Sequence, residues 1–244
     1  MISARDPATW KDLEGAVANL LTKCGLEVAL GKAVPLVRGE VDVDVFARDT
    51  HSGRNVVIFC ECKHWQVAVP KTVVHAFRTV VADGGADSGY IISSQGFQAG
   101  ATDAAKGSNV RLRTWQSFQA DFETLYVENY FRERLQQVVD SLTSFTEPIS
   151  PGTFLAAGRL PESNIPAFVA LQEKYASFAL LCLMQAPYME GIGKRLELPL
   201  PEGQAKAVPG IVAGARSYEE FLEAAEIVTA EALPAFRALL IPKP

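Results

Sequence analysis

Apolar residues recur at helical spacing near the start of the chain, at Trp10, Leu13, Val17, Leu20, Leu21 and Cys24, and Gly25 closes the run. This pattern predicts an opening helix. Glu14 shares a side with Trp10, Val17, Ala18 and Leu21, so one carboxylate stands on or beside the apolar face. It is either a site residue or an edge residue reaching back to water. Residues 26–30 begin a sheet, and residues 39–48 then alternate strictly. Asp42, Asp44 and Phe46 face one way, and Val41, Val43, Val45 and Ala47 face the other. His51-Ser-Gly-Arg-Asn55 supplies turn residues that fold this strand back on a second one, residues 56–63, as a hairpin.

After the hairpin, Pro70 opens a helix with Val73, Val74, Phe77, Val80 and Val81 as its buried stripe, and Gly84-Gly85 stops it. A buried strand over 88–94, an Ala-rich helix over 98–106 and a last strand over 110–115 follow. Strands alternating with helices after a hairpin predict an α/β sandwich around a mixed sheet. From Ser117 the period turns helical through Phe118, Phe122, Leu125, Tyr126, Phe131, Leu135 and Val138, predicting one long helix to about residue 145. Thr146-Glu-Pro-Ile-Ser-Pro-Gly152 has the composition of a linker. Helices over 165–184 and 218–240 flank a Pro- and Gly-rich stretch, 198–214. The expected division is 1–116, 117–148 as helix and linker, and 149–244 as a mainly helical C-terminal region. That last region has no repeat, low-complexity tract or metal-ligand cluster, and it suits target sensing, dimerisation, partner binding or a structural cap.

The candidate chemistry lies in Val56-Val-Ile-Phe-Cys-Glu-Cys-Lys-His-Trp65. A β-branched and aromatic run marks a buried strand, yet it ends with Glu61 and Lys63 two positions apart on one face and Cys62 on the other. Charges are rare at the end of such a run. Neighbouring strands lie about 4.8 Å apart, so an Asp early in one strand can meet a Glu late in the other. Carboxylates of this kind suit Mg²⁺, a hard cation that takes one or two of them and keeps several waters. The alternative is an ordinary solvated strand face.

In this order the residues resemble the PD-(D/E)xK nucleases, and within them the Mrr-like restriction endonucleases, over roughly residues 8–118. Trp10-Lys-Asp-Leu-Glu14 resembles the family's opening helix with its acidic residue. Asp44-Val-Phe-Ala47 resembles its metal-binding Asp, and Glu61-Cys-Lys63-His-Trp65 its ExK motif with an aromatic follow-up. Tyr90-Ile-Ile-Ser-Ser-Gln-Gly-Phe97, with Ala101, Ala104 and Ala105, resembles its later strand and small-residue helix. The resemblance implies a restriction-endonuclease-like α/β/α sandwich and hydrolysis of DNA phosphodiesters with Mg²⁺, for which Mn²⁺ substitutes. Asp44, Glu61 and the backbone carbonyl of Cys62 are then the metal ligands. Lys63 orients water or stabilises phosphate charge, and Glu14 completes a second metal site. Asp42 competes with Asp44; Asp44 is favoured because Val-Phe-Ala follows it as the family's small apolar triplet does. Glu40 and Asp42 are otherwise extra ligands or solvated acids. The setting implied is restriction or anti-phage defence, with a homo-oligomer or a defence partner protein. The rival is a catalytically silent module of the same fold that binds nucleic acid or protein, and cleavage of RNA or branched junctions needs only a different substrate.

Charge qualifies this picture. The 244 residues carry a net charge of −5, whereas a binder of arbitrary DNA is expected to be basic. Bound Mg²⁺ offsets part of the acid in the first region, and Lys63, His64, Lys71, Arg78, Lys106, Arg111 and Arg113 are candidate phosphate contacts. At 48% apolar content the chain can bury a sizeable core. No apolar run reaches the roughly 18 residues of a membrane span, and Met-Ile-Ser-Ala-Arg-Asp-Pro lacks a signal core, which predicts a soluble cytoplasmic protein. The four cysteines follow no metal-finger spacing and are expected as free thiols, Cys60 and Cys62 pointing to opposite faces. Ser93 and Ser94 lie in no Gly-x-Ser-x-Gly elbow and are expected as strand-end loop residues near nucleic acid. His75 is expected on a helix surface, and His64 as a surface or phosphate-contact residue ahead of a general base.

Overall fold

The computed structural model describes residues 1–37, 39–50, 53, 55–189 and 195–242. They belong to two compact units, Arg5–Tyr130, and Phe131–Pro244 together with Met1–Ala4.

In the first unit, helix α1 (Trp10–Lys23) begins where the Thr9 hydroxyl accepts the Asp12 N–H at 3.1 Å. It ends before Gly25, whose φ of +89° a side chain rarely adopts. Strands β1 (Glu27–Leu36), β2 (Gly39–Asp49) and β3 (Val56–Lys63) pair antiparallel. Strands β4 (Ser88–Ser93) and β5 (Val110–Arg113) continue the sheet in parallel, giving the order β1-β2-β3-β4-β5. Parallel neighbours need crossovers, and helices α2 (Lys71–Asp83) and α3 (Ala99–Ala105) supply them. The mixed sheet predicted from the alternating pattern is therefore present. Of the predicted hairpin turn, His51, Ser52 and Arg54 lie outside the described residues.

Alternation sorts the two layers. Phe46, Phe59 and Ile91 bury one face against Phe77, Val81 and Ala101 of α2 and α3. Tyr90 points the other way, onto Phe118 and Phe122 at ring distances of 5.2 and 5.6 Å. Those rings belong to α4 (Trp115–Tyr126), and the Cys24 thiol beside α1 reaches the Phe122 carbonyl. Helices thus cover both faces, an α/β/α sandwich.

Several boundaries differ from the sequence reading. The last strand stops at Arg113, and Trp115 opens α4, because Thr114 and Ser117 form a reciprocal capping box that starts the helix there. Pro70 precedes α2 as its cap residue rather than lying inside it. The long helix predicted over 117–145 is interrupted by a π-helical turn, Val127–Phe131, before α5 (Arg132–Thr146). The cause is legible afterwards. Buried residues step by four through Phe118, Phe122 and Tyr126, then by five to Phe131, then by four to Leu135 and Val139. A π turn, with its i→i+5 bonds, absorbs that extra residue. The boundary between the compact units also falls inside this turn.

In the second unit the predicted linker is ordered chain. Helix α6 (Ser150–Ala156) occupies part of it, with Ser150 buried and its hydroxyl donating to Ser144 O at 2.7 Å. The Gln172 amide donates to Phe145 O at 2.9 Å and Glu147 O at 2.8 Å, which satisfies carbonyls left over at a helix end. Helices α7 (Ile165–Leu183), α8 (Glu202–Ala205), α9 (Gly210–Ala213) and α10 (Tyr218–Ala238) complete the unit. Its core is aromatic: Phe236 stacks on Phe145 at 5.2 Å and meets Phe168 edge-on at 5.1 Å. The first residues join it, Met1 O and Ile2 O accepting the Tyr218 and Glu219 N–H groups. Among the described residues no helix is long and apolar enough to cross a membrane.

Candidate active site

Two strands part company at one point of the first unit. The described pairing of β2 with β3 runs from Asp49↔Val56 to Val45↔Cys60. Beyond it the first half of β2 stays with β1, and Glu61–Lys63 stay with β4. Asp44 is the first residue on one branch and Glu61 the first on the other. The β1 ladder also skips a step here. Leu30 pairs with Val45 and Lys32 with Val43, while Gly31, at φ +56°, stands opposite Asp44 without regular pairing. A residue other than glycine is strained in that conformation, so this irregularity is built into the sequence. An isolated Gly inside a strand pattern is the signal that marks it.

The fork is closed by one hydrogen bond. The Cys62 backbone N–H donates to Asp44 Oδ2 at 2.7 Å. Amide and carbonyl of one strand residue point to the same side. Since the Cys62 N–H faces Asp44, its carbonyl opens to that side too, while Lys63 O turns the other way and accepts the Ser94 N–H at 3.1 Å. Glu61 and Lys63, on one face as the i, i+2 spacing requires, form an ion pair in which both side chains are largely sheltered from solvent. The Lys63 ammonium also lies 5.5 Å from the centre of the Trp65 ring.

Helix α1 brings Glu14 to this group. Burial raises the Glu14 carboxyl above its ordinary range, Asp44 and Glu61 push it the same way, and Lys63 opposes them. Burial likewise raises Glu61, against the Lys63 bond and with Asp44. Three carboxylates and one ammonium therefore feel one another at the fork. Asp42 is exposed on β2 opposite Ala33, and the described bonds of the fork run through Asp44.

The remaining candidates sort by partner. His64 Nε2 lies 3.3 Å from Pro7 O. Arg78 donates to Ala104 O at 2.9 Å, and Lys106 pairs with Asp103 at 2.7 Å. Arg113 pairs with Asp121 at 2.8 Å, and Arg111 donates to the Tyr90 hydroxyl at 2.9 Å. Lys71 is exposed at the start of α2, and His75 is exposed on the same helix. Most of the basic side chains expected at a phosphate are thus tied within the fold. Ser93 is buried, its hydroxyl donating to Gly96 O. Ser94 has a task the sequence did not disclose: its hydroxyl donates to Trp65 O at 3.0 Å and so pins the chain just after Lys63. All four cysteines are free and buried; burial pushes the Cys24 thiol up to about 12 and raises Cys60, Cys62 and Cys182 as well.

Residues 5–120 match the Mrr-type catalytic family whose description is Restriction endonuclease. The sheet-bearing unit is a restriction-endonuclease domain of the Mrr type. The match spans the fork, both its strands and Glu14, and ends within α4, ten residues short of the unit boundary at Tyr130. No curated protein matches the chain. Among solved structures, one titled Crystal Structure of Protein of Unknown Function AF1548 is similar at 16% identity and a TM-score of 0.38. The alignment covers 68% of this chain and 97% of that one, a likeness too slight to argue from.

A divalent cation is the group such a domain implies. Among the described residues no three His, Cys, Asp or Glu side chains gather closely enough to hold a metal by themselves. The donor set at the fork is nevertheless of the right chemistry: two carboxylates plus a main-chain carbonyl on the same side, with water for the rest, suits Mg²⁺. Two carboxyls raised by burial and by a nearby carboxylate are also what a cation relieves.

Proposed function

We propose that this restriction-endonuclease domain is a Mg²⁺-dependent endodeoxyribonuclease that hydrolyses DNA phosphodiester bonds at the β2/β3 fork. One observation carries the reading. Asp44, Glu61 and Lys63 meet where two strands diverge, with the Cys62 amide bonded to Asp44 and its carbonyl opening to the same side. Asp44, Glu61 and the Cys62 carbonyl hold the metal; Mn²⁺ substitutes for it. The metal's contribution is to polarise a phosphoryl oxygen and lower the pKa of a bound water.

The chain's own residues do the rest. The Cys62 N–H fixes Asp44 in one rotamer, so the carboxylate is oriented before any substrate arrives. Lys63, held between Glu61 and the Trp65 face, offers three N–H donors and a positive charge to a non-bridging phosphate oxygen or to the attacking water. Ser94 fixes the backbone that carries it. Glu14 adds a further carboxylate from α1 and is the ligand available for a second ion. Asp42 and His64 stand next to this set as auxiliaries, and His64 is tied to Pro7 O rather than poised as a base.

DNA is the substrate class, restriction or anti-phage defence the setting, and the cytoplasm the place. The helical unit is the part suited to a second copy or a partner protein. The silent-module alternative has no support at the fork, where acid, acid and lysine are all intact. The test is a panel of duplex, single-stranded, branched and methylated DNA and matching RNA, incubated with Mg²⁺, Mn²⁺ or chelator. Metal-dependent cleavage of DNA that Lys63→Ala abolishes is expected. Cleavage of RNA alone would reassign the substrate, and no cleavage of any member would favour the silent module.

A further inference from the structure

Trp10 and Trp65 each leave much of an indole in water, although the Lys11 and Lys63 ammonium groups lie 5.4 and 5.5 Å from their ring centres. Trp10 lies on the same stripe of α1 as Leu13, Val17 and Leu21, all buried, yet it is 54% exposed. Residues 10–12, the start of α1, are all exposed, which leaves the indole in water. Trp65, two residues past Lys63, is 38% exposed although its backbone is pinned by Ser94. Trp10 precedes Glu14 by one helical turn on the same side, and Trp65 faces the Lys63 ammonium. The His64 Nε2 contact with Pro7 O, at 3.3 Å, brings the two segments together, since Trp10 follows Pro7 by three residues and Trp65 follows His64 directly. The same contact borders a pocket of about 170 Å³ whose lining includes Pro7, His64, Ser94 and the third tryptophan, but neither exposed ring. The third tryptophan behaves differently: Trp115 is buried and donates to Arg5 O at 3.1 Å.

Large exposed aromatics next to a catalytic site mark a binding surface rather than a core. The ligand follows from charge. The protein is acidic, and among the described residues Lys63, Arg78, Lys106, Arg111 and Arg113 are already hydrogen-bonded or ion-paired within the fold, so attraction to phosphates is weak. Stacking on base faces needs no net charge and supplies about 1–3 kcal/mol per base. We propose that Trp10 and Trp65 form a stacking platform for unpaired nucleobases beside the cleavage site, so that the preferred ligand is a single-stranded segment of DNA. The proposal rests on the reading of the fork as a nuclease centre and specifies the substrate that centre receives. In a continuous duplex the base faces are occupied by one another, and such rings have nothing to stack on.

Binding is measured with the full-length chain in chelator, so that nothing is cut. The ligands are a short labelled oligothymidylate and a blunt duplex of the same length. Trp10→Ala and Trp65→Ala are each expected to weaken single-strand binding roughly fivefold to 150-fold, the equivalent of one lost stack. Trp10→Phe and Trp65→Phe, which keep a ring, bind nearly as wild type, and duplex affinity is unchanged throughout. The oligonucleotide also quenches tryptophan emission, and the quenching disappears in the double Phe variant, where only buried Trp115 emits. Ala variants that bind as wild type, or lose single strand and duplex equally, overturn the proposal. Glu61→Gln separates this from the nuclease reading: it should bind the single strand normally and lose Mg²⁺-dependent cleavage. Normal binding by the Trp variants, with cleavage lost in Glu61→Gln, sinks the platform alone. Cleavage kept in Glu61→Gln sinks the nuclease centre and leaves the platform standing.

Discussion

The two units spend their polar groups in opposite ways. In the helical unit the charged side chains pair in the open, as in Arg134–Glu226, Lys174–Glu231 and Lys206–Glu202, and the interior is a stack of phenylalanines. Such exposed pairs are worth little, and the unit is held by aromatic burial. In the sheet unit, Glu14, Asp44, Glu61 and Lys63 are drawn together in partial shelter, where burial, and after it the charge of Asp44, raises two of the carboxyls. A fold gains nothing in stability from that arrangement. Charges placed where they cost stability mark the region built for chemistry, and charges placed in water mark the region built to pack.

The strongest way to break this contrast is to exchange the effects. Asp44→Asn, Glu61→Gln and Lys63→Ala should each lower cleavage on the order of 10²–10³-fold, as removal of a single transition-state contact does, with circular dichroism unchanged. Asp42→Asn should cost less than Asp44→Asn, and the reverse order would transfer the metal to Asp42. In the other unit, Phe236→Ala removes a fully buried ring and should destabilise by about 3–5 kcal/mol. Cleavage per folded molecule should persist; a matching loss of catalysis would end the division of labour.

Glu14 gives a smaller and more discriminating effect. Its carboxyl pKa is raised first by burial and then by Asp44, so the folded state binds that proton more tightly than the unfolded state does. Its stabilising contribution is present below the ordinary carboxylate range and is lost as pH rises through the raised value. Glu14→Gln should therefore raise the melting temperature in chelator at neutral pH, by an amount worth about 1 kcal/mol or less given its partial exposure. The gain should vanish in acid, where Glu14 is itself protonated. A fall in melting temperature at neutral pH would make Glu14 a packing residue. The smallest effect concerns the thiols: all four should react in denaturant, only slowly in the native protein, and reducing agent should leave cleavage unchanged.

Much of the sheet unit was legible in the sequence because its signals are local. Alternation in Gly39–Asp49 and the apolar run ending in Glu61 and Lys63 each specify a strand and its charged face within about ten residues. What escaped were effects of tertiary context. Trp10 fits the buried stripe, yet it is exposed at the start of α1. The Val127–Phe131 turn was hidden because the buried period slips by one residue without any Gly or Pro to announce it. The segment 146–152 reads as a linker from its prolines, yet Ser150 is buried and Gln172 holds the carbonyls around it. Ser94 could be read as a strand-end loop residue but not as the pin behind Lys63, since a serine that bonds a distant carbonyl has no local pattern.

Above all, the β2/β3 fork should behave as a metal centre. Equilibrium binding of Mn²⁺, followed by its paramagnetic resonance, tests this without reference to any substrate. The wild-type chain should take up the ion at a saturable site that Mg²⁺ competes for. Asp44→Asn and Glu61→Gln should abolish that site, whereas Asp42→Asn should retain it. Saturable binding that survives in both Asp44→Asn and Glu61→Gln, or a wild-type chain that takes up no Mn²⁺, would contradict the account.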